Sequence, residues 1–217
     1  MKDGFIQAFR KGNAITRLSA IILGLGNLAG KQIIKGILYL AMEVSFICFM
    51  IFKGMNCLAM LPSLGGREQQ EMWNEKLGVY EYVAGDNSLL ILLYGVATIF
   101  LIAAYVVLVM SSVKSAYNVQ SRLALGKHIN TFVEDVKSLF NENLHKLLLT
   151  LPVGGVLIFT ILPLIFMISM AFTNYSKVDS HLVLFDWVGL ENFKQLFDSG
   201  SSIGHSFWSV LGWTITY

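Results

Sequence analysis

The stretch from Leu89 to Met110, LLILLYGVATIFLIAAYVVLVM, contains no charged residue. Wound as a helix at 1.5 Å per residue it extends about 33 Å, enough to cross roughly 30 Å of hydrocarbon. In lipid every backbone N–H and C=O has to be satisfied within the segment, so such a run has to be a helix. Two more runs fit the same description. Leu147 to Phe172 carries Pro152 and Pro163, which predict kinks. Ile33 to Phe52 holds Lys35 near one end and Glu43 near its middle. A fourth run begins at Ser206 and stops on Tyr217. Its dozen or so residues are too few to span, which suggests a piece of a longer protein. The expected fold class is all-α: a polytopic α-helical membrane protein with three complete transmembrane helices, the start of a fourth, and interfacial amphipathic helices.

Composition agrees. Of 217 residues 55% are hydrophobic and 14% charged, with a mean hydropathy of +0.62. A soluble domain carries about 25% charged residues, so much of this surface does not face water. A net charge of +2, with no interleaving of basic and aromatic residues, gives no reason to expect nucleic acid. Cys48 and Cys57 make neither a disulfide framework nor a metal site, and His128, His145, His181 and His205 are scattered without ligand spacing. No metal and no catalytic constellation is expected. The first run lies behind a long polar and amphipathic stretch with no small-residue cleavage site after it, so it reads as a retained helix and not a signal peptide.

Basic residues alternate loop by loop. Lys2, Arg10, Lys11, Arg17, Lys31 and Lys35 face Asp3 alone, whereas the loop after the first run is acidic, with Glu68, Glu71, Glu75, Glu81 and Asp86. The positive-inside rule then predicts the organisation. Residues 1–32 form a cytoplasmic N-terminal and interfacial segment, 33–52 the first span and 53–88 an extracellular loop. Residues 89–110 form the second span, 111–146 a cytoplasmic connection with an amphipathic helix, and 147–172 the third span. Residues 173–205 form a second extracellular loop, and 206–217 begin the fourth span. The expected location is the cell membrane, multi-pass, with the N-terminus cytoplasmic.

GLGNLAGKQIIKG, residues 24–36, looks at a glance like a phosphate loop. The spacing fails: G-x-x-x-x-G-K-[ST] is not met, Gln32 stands where a hydroxyl would hold Mg²⁺, and no strand pattern precedes it. Arg17 to Lys31 reads instead as a weakly amphipathic segment in the headgroup layer. Its glycines would let the chain turn upright, with Lys31 and Lys35 snorkelling toward anionic lipid. A plain flexible tail is the alternative. Further on, Ile129, Phe132, Val133, Val136, Leu139, Phe140 and Leu144 recur at helical spacing, and Thr131 followed by Glu134 predicts a capping box.

Glu43 is the only acid inside an apolar run. An ionised group at mid-membrane costs roughly 2.5–3.5 kcal/mol on insertion scales, so it faces a bundle interior or a cavity. It is the one candidate substrate-binding residue; a hydrogen bond to a neighbouring helix is the plainer expectation. Asn174-Tyr175-Ser176 matches a glycosylation sequon beside a membrane end and carries no weight without a secretory context.

Three stretches resemble the maltose/maltodextrin-type (MalF-like) permease subunits of carbohydrate ABC importers, and in the same order along the chain. They are GLGNLAGKQIIKGILYLAMEV (24–44), LLLTLPVGGVLIFTILPLIFMISMAFTNYS (147–176) and FDWVGLENFKQLF (185–197). The resemblance implies a transmembrane permease subunit of an ATP-driven importer for oligosaccharides, not an enzyme. A second permease would complete the pathway, two ATPase subunits would bind ATP on the cytoplasmic side, and an extracytoplasmic sugar-binding protein would deliver the cargo. No cofactor is expected on this chain. The E-A-A-type coupling segment is missing from it and is expected beyond Tyr217, and the short 173–205 loop suits a lipid-anchored binding protein. The alternative is a small non-transporting membrane protein of three or four helices, an assembly factor or sensor; an intramembrane enzyme using Glu43 is a third.

Overall fold

The computed structural model describes residues 4–68, 70–75, 77–83, 85–175, 177–178, 181–182, 184–198 and 201–216. Helices dominate. Three short helices, α1 (Phe5–Lys11), α2 (Ala14–Leu18) and α3 (Leu25–Ala29), precede α4 (Ile33–Phe49). A π-helical turn, Met50–Gly54, joins α4 to α5 (Met55–Met60). Strands β1 (Gln70–Asn74) and β2 (Val79–Val83) form an antiparallel hairpin, with Trp73 opposite Tyr80. Then come α6 (Ser88–Ala124), α7 (Phe132–Phe140) and α8 (Leu144–Val156). A second π-helical turn, Leu157–Ile161, leads to α9 (Leu162–Met170). A two-residue pair, β3 (Lys177–Val178) with β4 (His181–Leu182), precedes α10 (Glu191–Phe197) and α11 (Ser202–Thr216).

Among the described residues three helical stretches are long and apolar enough to cross a membrane: Ile33–Met60, Ser88–Ala124 and Leu144–Met170. This is the architecture of an all-α polytopic membrane protein. The helices outrun the apolar runs. The sequence reading ended the first span at Phe52, before Lys53, but helix continues to Met60. It ended the second at Met110, whereas α6 continues through Ala124 and is about 55 Å long. Charge marks where lipid contact ends; it does not end a helix, because the hydrogen-bond ladder is indifferent to side-chain polarity. The hairpin within 53–88 is a feature that the apolar-run reading did not anticipate.

Pro163 has no N–H to give to the carbonyl four residues back, and the π-helical turn Leu157–Ile161 ends two residues before it. Pro152 sits inside α8. Along this run Leu151 and Phe159 are about 80% exposed in the chain by itself. Such side chains suit lipid or a partner helix, not water.

The chain divides into two compact units. The first comprises Met1–Met55 and Thr98–Thr160, the second Asn56–Ala97 and Ile161–Tyr217. The second has an apolar core in which Leu64, Leu92, Val96 and Phe185 are buried. The first has little aliphatic core; its interior is built from small and polar residues, described next.

Candidate functional site

In the first unit the glycine stretch is a packing surface. Gly24 has φ +82°, a left-handed conformation, and a Cβ there would collide with the backbone of Gly36. At Gly26 a Cβ would overlap the Ala116 methyl, and at Gly30 the Val119 side chain. Gly26 and Gly30, one helical turn apart, thus let α3 lie directly against α6. This is the small-residue contact that lets helix backbones approach in membranes.

Hydrogen bonds fix that contact. The Gly24 N–H donates to Ser112 Oγ at 2.9 Å, and the Ser112 hydroxyl donates to the Ser19 carbonyl at 3.3 Å. Ser19 Oγ accepts from the Gly26 N–H at 2.8 Å. Asn27 Nδ2 donates to Ser115 Oγ at 2.8 Å and Gln32 Oε1 at 2.7 Å, while its Oδ1 has no partner among the described residues. Gln120 Oε1 accepts from both the Asn13 N–H and the Thr16 hydroxyl, at 2.9 and 2.8 Å. Asn13 also caps α2 through the Thr16 N–H. Ser112, Ser115, Ala116, Val119 and Gln120 thus form one stripe of α6 that receives the N-terminal segment.

Glu43 belongs to the same joint. It is 8% exposed, and its Oε2 accepts the Leu23 N–H at 2.8 Å. The Tyr105 hydroxyl lies beside the same carboxylate, and the Tyr105 ring stacks on Phe46 with centroids 4.0 Å apart. Leu23 is fully buried, so its N–H would otherwise lose its water without replacement, at about 1–3 kcal/mol. Glu43 therefore ties the entry segment to the first long helix. The tie reaches a backbone amide of the preceding segment as well as a side chain of a neighbouring helix.

Gly24 and Asn27 are bonded to α6, and Lys35 is paired with Asp135 of α7 at 3.0 Å. Lys31 is exposed, with φ +63° just after α3. The Thr131 capping box is present: the Glu134 N–H donates to Thr131 Oγ1, and the Thr131 N–H donates to Glu134 Oε2 at 2.8 Å. That amide, followed by His128 at 3.0 Å, holds the Glu134 carboxyl below its ordinary pKa.

In the second unit the quoted motif FDWVGLENF gains a physical reading. Phe185 fills the core, and its N–H donates to Ser88 Oγ at 3.2 Å. The Asp186 N–H donates to Asn174 Oδ1 at 2.6 Å. Trp187 Nε1 donates to the Leu61 carbonyl at 2.9 Å. Asn192 Nδ2 donates to the carbonyls of Ala171 and Thr173. Residues 171–174, at the end of the third long helix, are thereby fastened to the segment after them. Asp86 performs a similar service for the earlier loop by accepting the N–H groups of Gly66 and Arg67, which lower its pKa. Asn174 is engaged in this network; Ser176, the third residue of the sequon, lies outside the described residues.

Among the described residues no group of His, Cys, Asp and Glu could hold a metal ion. Cys48 and Cys57 are free thiols. His145 and His205 are exposed, and the side chain of His181 lies outside the described residues. Ser112, Ser115 and Gln120 were missed from sequence. Their signal, polar residues repeating on one helical face just past an apolar run, reads equally well as a solvated helix end.

No protein-family profile matches the chain, and no solved structure does. Curated relatives do. The chain is 31% identical over 204 residues to the maltodextrin transport system permease protein MalC of Streptococcus pneumoniae, covering 92% of this chain and 43% of that protein. It is 28% identical over 204 residues to the maltodextrin permease protein MdxF of Bacillus subtilis, with the same coverage. To the galactooligosaccharides permease protein GanP of Bacillus subtilis it is 28% identical over 214 residues, 94% of this chain and 45% of that one. The chain thus spans less than half the length of the relatives it matches. With three membrane-length helices among the described residues, the chain is similar along nearly all of its sequence to permease proteins of maltodextrin and galactooligosaccharide transport systems.

Proposed function

We propose that this chain supplies part of the membrane pathway of an ATP-driven oligosaccharide importer. The observation that carries the reading is the match over 92–94% of the chain to three permease proteins of maltodextrin and galactooligosaccharide systems. In this reading the chain is not itself an enzyme and carries no cofactor. ATP is bound by two separate ATPase subunits on the cytoplasmic side, a second permease completes the pathway, and an extracytoplasmic binding protein presents the sugar. In this reading the N-terminus is cytoplasmic, which the excess of basic residues ahead of the first long helix supports.

In this reading the chain's own residues have a positioning role: the glycine joint orients the first two long helices of the first unit, and Glu43 acts as a structural acceptor, a role that its bond from the Leu23 N–H supports. Uptake of labelled maltodextrin and galactooligosaccharide, in cells with and without the gene, tests the function. Loss of uptake of at least one of them on deletion, restored by complementation, is the expected result. Unchanged uptake of every oligosaccharide offered would overturn it. Orientation is tested separately by cysteines at Ser63 and Ser121 and an impermeant thiol reagent. Labelling at Ser63 alone supports the reading, and labelling at Ser121 alone reverses it.

A further inference from the structure

We propose that the cleft between α4 and α6 in the first unit binds the phosphate of an anionic membrane lipid. The cleft is a cavity of about 360 Å³, walled by Lys35 and Tyr39 of α4 and by Val107, Met110, Lys114 and Asn118 of α6. A second cavity of about 270 Å³ shares Lys35, Ser115 and Asn118 with it and adds Arg122 and Asp135.

The charges in these two cavities do not cancel. The Lys35 ammonium is neutralised by Asp135 at 3.0 Å. Arg122 donates to the His128 carbonyl at 3.3 Å and to Asn130 Oδ1 at 2.6 Å, both uncharged acceptors, so its positive charge is retained. Lys114 is exposed and has no partner among the described residues. Two positive charges therefore border adjoining cavities against none of the opposite sign left over. Around them stand uncharged donors: the Asn118 amide and the hydroxyl pair of Tyr39 and Ser111, 3.0 Å apart. A phosphodiester supplies one negative charge and several acceptor oxygens, which this set of donors matches.

The apolar end of the cleft selects the source of the phosphate. Val107 and Met110 close the uncharged run, and Ser111 opens the polar part of α6. The cleft therefore straddles the depth at which hydrocarbon gives way to headgroups. A free phosphate has no use for Val107 and Met110; an acyl chain does. Basic pockets between transmembrane helices are a recurring way to hold acidic headgroups. The inference does not depend on the transport reading, nor on which leaflet the cleft faces.

The test uses the full chain purified in neutral detergent. Binding of phosphatidylglycerol is measured by native mass spectrometry, beside phosphatidylcholine of the same acyl chains and beside glycerol phosphate alone. Phosphatidylglycerol should be retained about fivefold or more over phosphatidylcholine, and K114Q should remove about a fivefold share of that preference while K114R keeps it. Equal retention of the two lipids, or an unchanged preference in folded K114Q, overturns the proposal. Glycerol phosphate competing as tightly as the lipid also overturns it, by assigning the site to a soluble phosphate. Should K114Q not fold, lysine acylation of the unaltered chain decides. Phosphatidylglycerol should protect Lys114 and leave Lys31 reactive. Protection of Lys114 in the complete transporter in phosphatidylcholine alone would give the cleft to a partner subunit instead.

Discussion

The two units solve the same problem, holding distant stretches of chain together, with opposite materials. The second uses bulk: Phe185 and three aliphatic side chains exclude water, and an indole, an amide and a carboxylate secure the backbone around them. The first uses the absence of bulk: Gly24, Gly26 and Gly30 bring backbones close enough for Ser112, Ser115 and Glu43 to bond directly. Large apolar side chains hold a joint by the area they bury, whereas glycines hold one by letting backbones meet where polar groups can bond across the contact.

This contrast can be broken experimentally. The largest effect is expected at Phe185. Phe185→Ala leaves a cavity and should destabilise the second unit by about 3–5 kcal/mol, seen as loss of hydrogen-exchange protection in residues 61–64 and 185–192. Protection at residues 23–30 unchanged by that substitution would confirm that the two cores are built independently. A comparable collapse there would show that one packing network runs through both.

At Gly24 the substitution to Ala forces a side chain into left-handed backbone and against Gly36, at a cost of about 2–4 kcal/mol. Thermal unfolding in detergent should register it. Gly30→Ala tests shape alone. Its loss should be largely recovered by adding Val119→Ala, since the Val119 side chain is what the new methyl meets. A double variant as unstable as the sum of its parts would mean that the contact at Val119 is not what requires glycine.

A smaller effect separates charge from hydrogen bonding at Glu43. Glu43→Gln keeps an acceptor for the Leu23 N–H and should cost less than about 1 kcal/mol, whereas Glu43→Leu strands that amide and should cost about 1–3 kcal/mol. In the complete transporter, Glu43→Gln should leave uptake nearly intact. A loss beyond about tenfold, equivalent to roughly 1.4 kcal/mol, at normal expression would instead put the carboxylate on the sugar path.

The smallest effect concerns Asp86. Its pKa lies below the ordinary 3.8 because two backbone N–H groups hold the charged form. A depressed pKa contributes stability that is complete above the unfolded value and is lost as pH falls through the folded one. Exchange protection at the Gly66 and Arg67 amides should therefore hold from neutral pH down to about 4 and decline below it. Asp86→Asn should weaken protection at neutral pH and flatten the decline. An identical acid profile in that variant would remove Asp86 from the account.

Much of this architecture is legible in residue order. The uncharged run 89–110 permits little but a helix, and Thr131 with Glu134 announces the start of α7. The ends of α4 and α6 were less so, because charged residues such as Lys53 and Lys114 stop lipid contact without stopping a helix. The hairpin carried a signal in VYEYV, whose β-branched and aromatic residues favour strands, but the surrounding acidic loop concealed it. The glycine joint was visible as composition and opaque as geometry. That Gly26 meets Ala116 and Gly30 meets Val119 depends on which face of a helix far along the chain turns toward them, and spacing within one segment does not encode that.

The joint also has a timetable. Glu43 follows Leu23 by 20 residues, so that bond can close while the first long helix is still new. Gly24 must wait for Ser112, 88 residues later. At roughly 5–20 residues per second a ribosome needs about 4–18 s to make that length. Throughout that interval the Gly24 amide, and the bond of the Asn27 side chain to Ser115, have no helix α6 to close upon. The N-terminal segment is thus synthesised first and completed late, and the nascent chain spends those seconds with its smallest residues leaving an open face where the second long helix will arrive.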